Sequence, residues 1–271
     1  WNGCSPWRID PAPMQEFCSE PWRTALAANG LSDFDELWNL PRDWFEPPNE
    51  RRGGWSGVSR HRLRLADGGE IGVFVKRQQD HGYRSLRHPL RGRPTFEREL
   101  HCIQAYRACG VPTLEPVYFG WRRYGGHQQA ILITRELEGF CSLLTLQRQW
   151  AEQGRPPRAR RLALLEALAA LTRRMHACGL QHNCFYPKHL FLRPQADGWD
   201  LRVIDLEKTK RRRHRDAARV RDLSTLGRYV RGWSRSERLR FFLCYLQRPG
   251  LDREARRLLH KVFRDMRRKQ G

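Results

Sequence analysis

Two charged residues of this 271-residue chain stand where charge is costly: Lys76 closes the run Val73-Phe74-Val75, and Asp205 closes Val203-Ile204. An ammonium or a carboxylate at the rim of a core loses hydration, so each needs a partner of opposite sign. For Lys76 the candidate is Glu99, carried beside an apolar stripe; for Asp205 it is a cation, which a carboxylate oxygen suits. Ahead of Lys76 lies Arg51-Arg52-Gly53-Gly54-Trp55-Ser56-Gly57-Val58, read as a glycine-rich turn. Backbone N–H groups at Gly54 and Gly57 could approach phosphates closely there. The plainer alternatives are that Glu97 and Glu99 are surface charges, that Asp205 caps a turn, and that the glycines merely bend the chain.

The elements that must hold these groups can be read from pattern. His61 to Leu65 and Ile71 to Lys76 alternate as strands around Asp67-Gly68-Gly69, a strong hairpin signal. Pro94 to Ala108 has helical spacing through Phe96, Leu100 and Ile103, and Gly110 ends it. Leu114 to Phe119 and Gln129 to Thr134 are further strands, and Ala130-Ile131-Leu132-Ile133-Thr134 is apolar enough to be central. It leads into Arg135-Glu136-Leu137-Glu138-Gly139, where a chain crossing between lobes could offer backbone groups to an adenine edge. Glu136 and Glu138 mark that candidate nucleotide contact. Arg158 to Ala177 is the clearest helix, with Leu162, Leu165, Leu168, Leu171 and Met175 on its apolar side. Residues 1–50 carry many Trp and Pro, with short helical candidates at Thr24 to Ala28 and Asp33 to Leu40, and are read as an irregular extension.

After the long helix comes Gly179-Leu180-Gln181-His182-Asn183-Cys184-Phe185-Tyr186-Pro187-Lys188-His189-Leu190-Phe191-Leu192, then Leu201-Arg202-Val203-Ile204-Asp205-Leu206-Glu207-Lys208. A loop, a short hairpin and an acidic strand end are how kinase-like folds present a catalytic loop and a metal-binding Asp. In their order these segments, with Lys76, Glu99, Arg221 to Arg228 and Ser236 to Pro249, resemble the lipopolysaccharide core kinase family, which includes heptose kinases, Kdo kinases and InaA-like proteins. The resemblance covers roughly residues 50–268. It implies an α+β, bilobal protein-kinase-like fold with a small antiparallel β lobe (51–138) and a larger, mainly helical lobe (139–271); the first 50 residues, outside the resemblance, are read as packed on the small lobe. It further implies ATP and Mg²⁺ as cofactors and phosphorylation of a sugar hydroxyl on heptose or Kdo of the lipopolysaccharide inner core or its lipid-linked precursor.

Residue by residue, the resemblance gives Lys76 the nucleotide's phosphates, Glu99 the orientation of Lys76, and Asp205 the metal. His189 falls where a second metal contact is expected; an imidazole is a poorer Mg²⁺ ligand than oxygen, so hydrogen bonding to phosphate or to the loop is the alternative. Lys188 could stabilise the transferring phosphate, and His182 opens the catalytic loop. The sequence departs from the family at one place: active members read His-x-Asp-x-Tyr-x-x-His, and here Cys184 stands at the Asp position. A neutral thiol is a poor base for a hydroxyl and lacks paired oxygens. The alternative reading is therefore a pseudokinase or accessory protein of envelope assembly.

Bulk composition narrows the rest. Fifty-one Lys and Arg against 29 Asp and Glu give a formal charge of +22, so an anionic partner is expected: glycolipid, acidic headgroups or nucleic acid. No zinc-finger spacing or RNP-type aromatic strand supports nucleic acid. The eight cysteines form no CxxC pair and are read as reduced thiols, with Cys102 and Cys109 on one helical face. No apolar run approaches the ~20 residues of a membrane span. Trp1 to Cys4 begin nothing like a signal peptide, so cytoplasmic residence is expected, with peripheral contact at the inner membrane.

Overall fold

The computed structural model describes residues 15–51, 53–85, 88–212 and 215–269, with backbone alone at 51, 84–85, 88–91 and 215. Trp1 to Cys4 and Arg52, named above, lie outside the described residues. The chain divides into two compact units, one of residues 1–103 and 114–138 and one of residues 104–113 and 139–271. Residues 104–113 group with the second unit.

In the first unit the elements run β1 (Glu16–Cys18), α1 (Glu20–Ala28), α2 (Phe34–Trp38), β2 (Asn49–Arg51), β3 (Gly54–Arg64), β4 (Glu70–Gln79), β5 (Gly82–Ser85), β6 (His88–Pro94), α3 (Thr95–Ala108), β7 (Pro116–Tyr124) and β8 (His127–Arg135). Six strands form one antiparallel sheet ordered β1-β7-β8-β4-β3-β2. The apolar run at 130–134 thus sits centrally, as its composition demands. Its pleat divides the core: Val73, Val75, Ile131 and Ile133 pack with Trp22, Leu26, Leu37 and Trp38. Phe119, Ala130 and Leu132 meet Phe96 and Leu100 of α3.

The first 50 residues are not irregular where described. β1 and β2 are the two edge strands of the sheet, and α1 and α2 cover one of its faces. α2 is five residues closed by a capping box between Asp33 and Glu36, inside the helical candidate at Asp33 to Leu40. Arg77 explains the close packing here. Its guanidinium is fully buried and donates to the carbonyls of Trp38, Leu40 and Pro41 at 2.9, 2.5 and 2.8 Å. Burial, with Arg42 nearby, brings its pKa down to about 10, and the cation stacks on Trp44, 5.2 Å from the ring centre.

The second unit is mainly helical: β9 (Cys141–Ser142), α4 (Leu143–Gln153), α5 (Arg158–Ala177), β10 (Leu180–Gln181), β11 (Leu190–Gln195), β12 (Gly198–Val203), β13 (Lys210–Arg211), α6 (Arg215–Tyr229), α7 (Arg235–Leu246) and α8 (Arg253–Arg268). Leu165, Leu168, Leu171 and Met175 of α5 are buried, while Leu162 is only half-buried. β11 and β12 form a hairpin with β9 alongside, and β10 pairs with β13. Cys102 is buried on α3, but Cys109 follows that helix and hydrogen-bonds Cys178. All seven described cysteines are free. No helix among the described residues is long and apolar enough to cross a membrane.

Candidate functional site

Within the first unit the strand alternation of β4 sends Lys76 and Gln78 to one face and Arg77 to the other. Gln78 is buried, and its Oε1 accepts from Thr95 Oγ1 at 2.7 Å and from the Phe96 amide at 3.3 Å. The first turn of α3 is thereby pinned to β4. One turn later Glu99, only 4% exposed, meets the Lys76 ammonium at 2.5 Å. Neither Glu97 nor Glu99 is a surface charge: Glu97 is 2% exposed and holds Arg93. Lys76 keeps a fifth of its side chain exposed, so the pair is held firmly while the ammonium still has access to a further anion.

The glycine-rich stretch is not the turn expected. Gly53 turns with φ +78°, but Gly54 and Gly57 are strand residues of β3. A Cβ at Gly54 would strike the Gln79 and Asp80 backbone, and one at Gly57 would strike the Trp44 ring. Close packing therefore accounts for both glycines. Glu136 and Glu138 also have their carboxylates occupied, by the Arg60 guanidinium at 2.8 Å and the Gly72 amide at 3.2 Å. The Glu136 amide donates to the Gly72 carbonyl at 2.9 Å. At Gly72, unremarked in the sequence, a Cβ would overlap the Glu136 carboxylate and displace it from its place beside Arg60.

In the second unit the loop 182–189 is organised by a residue that sequence reading passed over. Asp222, fully buried on α6, accepts from the backbone amides of His182 at 2.7 Å and Asn183 at 2.9 Å. It also meets His176 Nε2 at 3.2 Å, and His176 in turn contacts the Tyr245 hydroxyl at 2.9 Å. A carboxylate on the i, i+4 row Ala218, Asp222, Leu226 was the available signal, since acids on a buried face are rare without partners. Asn183 takes φ +66° at the bend, a left-handed conformation that Asn tolerates.

His182 is sealed inside. Its Nε2–H donates to the Ile204 carbonyl at 2.9 Å, leaving Nδ1 to accept from the Cys184 amide at 3.2 Å. Burial lowers its pKa while Asp222 pulls it back up, so a neutral imidazole in one tautomer braces the loop. Cys184 makes every backbone contact the loop needs: its carbonyl accepts from the Tyr186 amide at 2.7 Å and from His189 Nδ1 at 2.8 Å. Only the side chain differs from a carboxylate. Burial pushes the half-buried thiol up, Asp205 and Glu207 add to this, and Lys208 and Arg221 oppose it, so the group is a neutral thiol.

Asp205 follows β12 with φ +61°, in a conformation costly for a non-glycine residue and typical of functional positions. Its Oδ2 lies 3.1 Å from His189 Nε2. His189 donates from Nδ1, and burial lowers its pKa although Asp205 opposes that. With Nδ1 donating, a neutral ring would turn the Nε2 lone pair to the carboxylate. Two acceptors facing each other at this distance need a proton or a cation between them. Among the described residues no cluster of three or more His, Cys, Asp or Glu could cage a metal. Lys188, in the short 3₁₀ turn Pro187–His189, is exposed.

Comparison with known proteins agrees with this geometry. The family model "Lipopolysaccharide kinase (Kdo/WaaP) family" matches residues 35–245. Protein InaA of Escherichia coli K12 is 32% identical over 198 residues, covering 73% of this chain and 88% of that protein. The lipopolysaccharide core heptose(I) kinase WaaP of Pseudomonas aeruginosa is 31% identical, with 80% and 85% covered. A solved structure, WaaP in complex with acyl carrier protein, superposes with a TM-score of 0.65 at 27% identity over 94% of this chain and 98% of that one. The mixed helix and antiparallel sheet are thus those of a protein-kinase-like fold. With a family model spanning most of its length, the chain belongs to the lipopolysaccharide kinase (Kdo/WaaP) family, a family of phosphotransferases.

Proposed function

We propose that this protein transfers the γ-phosphoryl group of ATP to a sugar hydroxyl, on heptose or Kdo, of the lipopolysaccharide inner core. The observation that carries the reading is the Asp205 carboxylate held at φ +61° with its Oδ2 3.1 Å from His189 Nε2. Mg²⁺ fits this donor set, because it favours carboxylate oxygen, retains waters and takes its remaining ligands from substrate phosphates. A single carboxylate with no third protein ligand nearby suits an ion that arrives with a nucleotide. Bound there, the ion neutralises charge on the phosphate oxygens.

The chain's own residues have separable tasks. Lys76, oriented by Glu99, contacts the phosphates as a point charge. Asp205 holds the ion, and His189 is fixed by the Cys184 carbonyl. His182 and Asp222 keep the loop in shape without touching substrate, and exposed Lys188 adds positive charge where phosphate transfers. Cys184 stands where the acceptor hydroxyl would be oriented. Phosphoryl transfer relies mainly on positioning and charge stabilisation, and general-base help contributes ~10²–10⁴-fold. A slow kinase is the outcome.

The test is phosphate incorporation from ATP into purified inner-core lipid, with nucleotide affinity measured alongside. Lys76→Ala and Asp205→Ala should each weaken Mg²⁺-dependent nucleotide binding about tenfold or more and leave the melting temperature within a few degrees. Unaltered nucleotide affinity in both variants would refute the assignment. The second reading, a nucleotide-binding protein without turnover that serves envelope assembly, is favoured by the neutral Cys184 thiol; nucleotide binding without any phosphorylated product is its signature. Association with an acyl carrier protein, as in the WaaP structure, is a further proposal, tested by copurification.

A further inference from the structure

Beside the catalytic loop the second unit carries a cleft of about 730 Å³ with six cationic side chains on its walls: Arg212, Arg221, Lys261, Arg264, Arg268 and Lys269. Only two carboxylates, Asp216 and Asp265, share it. Lys261 pairs with Asp216 at 2.7 Å; Lys269 and Arg268 pair with Asp265 at 2.8 and 3.2 Å. Arg212 donates to Gln181 Oε1 at 2.6 Å. Arg221 and Arg264 have no carboxylate partner among the described residues. Two guanidiniums in a concave, already positive site are poised to take an oxyanion by paired N–H donors.

The cleft is joined to the loop. Gln181 and Asn183 form part of its wall, and the Gln181 amide donates to Asn183, which itself donates to the Lys208 carbonyl at 2.7 Å. Arg221 precedes Asp222, the residue that holds the amides of His182 and Asn183. A ligand whose charged group sits on Arg221 therefore lies in the cleft walled by Gln181 and Asn183, the segment that leads directly into Cys184.

We propose that this cleft is the acceptor subsite, binding a carboxylate or phosphate of an acidic oligosaccharide on Arg221 and Arg264 so that a nearby hydroxyl is presented at Cys184. The inference rests on the kinase reading for the word acceptor, but the binding it describes does not. The mixed lining favours a saccharide over a membrane surface: Asp216, Asp265 and the amides of Gln181 and Asn183 can bond sugar hydroxyls, and a concave wall is out of reach of a flat headgroup layer. With a thiol in place of a carboxylate at position 184, anchoring of the acceptor by charge takes on more of the positioning.

The experiment is calorimetric titration of the full chain with an acyl-free, Kdo-containing, phosphorylated inner-core oligosaccharide. The same sugar after phosphatase treatment, leaving only carboxylates, separates the two sources of anion. Arg221→Gln with Arg264→Gln should weaken binding about tenfold or more, whereas Arg23→Gln with Arg62→Gln, an equal charge loss on the first unit, should change it less than twofold. Because Arg264 is exposed, Arg264→Gln alone guards against a folding defect and should still cost several-fold, with Arg264→Lys recovering part of it. Affinity unchanged in the cleft variants, equal losses in the control pair, or binding of anionic vesicles but not of the sugar would each overturn the proposal. Arginine-dependent sugar binding in a protein that yields no phosphorylated product would uphold the subsite and sink the kinase reading.

Discussion

At the scale of single residues, Cys184 is a replacement of one side chain inside an otherwise complete loop. Because its amide and carbonyl already bond His182, Tyr186 and His189, Cys184→Asp requires no rebuilding. We expect the substitution to raise kcat by ~10²-fold or more if turnover is limited by hydroxyl activation, as read by radiolabelled phosphate transfer; a fall would mean that the thiol belongs to an altered mechanism. Asp222 is the opposite case. Asp222→Ala strands two buried amides and His176, and should cost about 2–4 kcal/mol in urea unfolding. A loss below about 1 kcal/mol would show that the loop is held otherwise. Sequence reading found Asp205, Lys76 and Glu99 because each breaks an apolar pattern at its edge. It passed over Asp222 and Gln78 because a polar residue inside a pattern looks like noise until its partners, 40 and 17 residues away, are known.

At the scale of elements, helix joins are made by charge as much as by apolar contact. Glu237 closes a capping box at the start of α7 and also accepts from Arg155 at 2.6 Å and from Arg161 of α5 at 2.9 Å. Burial would raise its pKa, but Arg155, the Ser234 amide and Arg161 together bring it down to about 2. A carboxyl depressed in the fold stabilises it at pH above the unfolded value near 4.5, and that contribution is lost as pH falls from about 4.5 to about 2. Glu237→Gln should therefore narrow the stability difference between pH 6 and pH 3 in denaturant melts; an unchanged difference would discount the cluster. Long elements were legible, α5 to the residue and the β3–β4 hairpin by its Asp-Gly turn. Short strands were not: β1 and β2 exist because the sheet pairs them, and local pattern carries none of that information, whereas α2 lies inside the helical candidate at Asp33 to Leu40.

At the scale of the whole molecule, a charge of +22 strains the folded state by self-repulsion. Exposed ion pairs, each worth ~0–1 kcal/mol, are weakened by salt, but the excess of like charge is relieved by it. The melting temperature should rise by a few degrees between 20 and 300 mM NaCl, and a fall would mean that the pairs prevail. The change from a strand-rich to a helix-rich sequence near residue 138 was legible. The assignment of residues 104–113 was not, because it depends on Tyr106 reaching Met175 and Thr209 and on Thr113 bonding the Val203 carbonyl, distant in sequence.

Adjacent cations on β4 serve opposite sides of the sheet, Lys76 toward a carboxylate and Arg77 toward three carbonyls. Loss of one residue between Ile71 and Val75 would present the compact ammonium to a socket shaped for a forked donor and turn the fork outward. Length changes there are tolerable only in pairs, whereas the bend at Asp67-Gly68-Gly69 can take odd or even insertions alike.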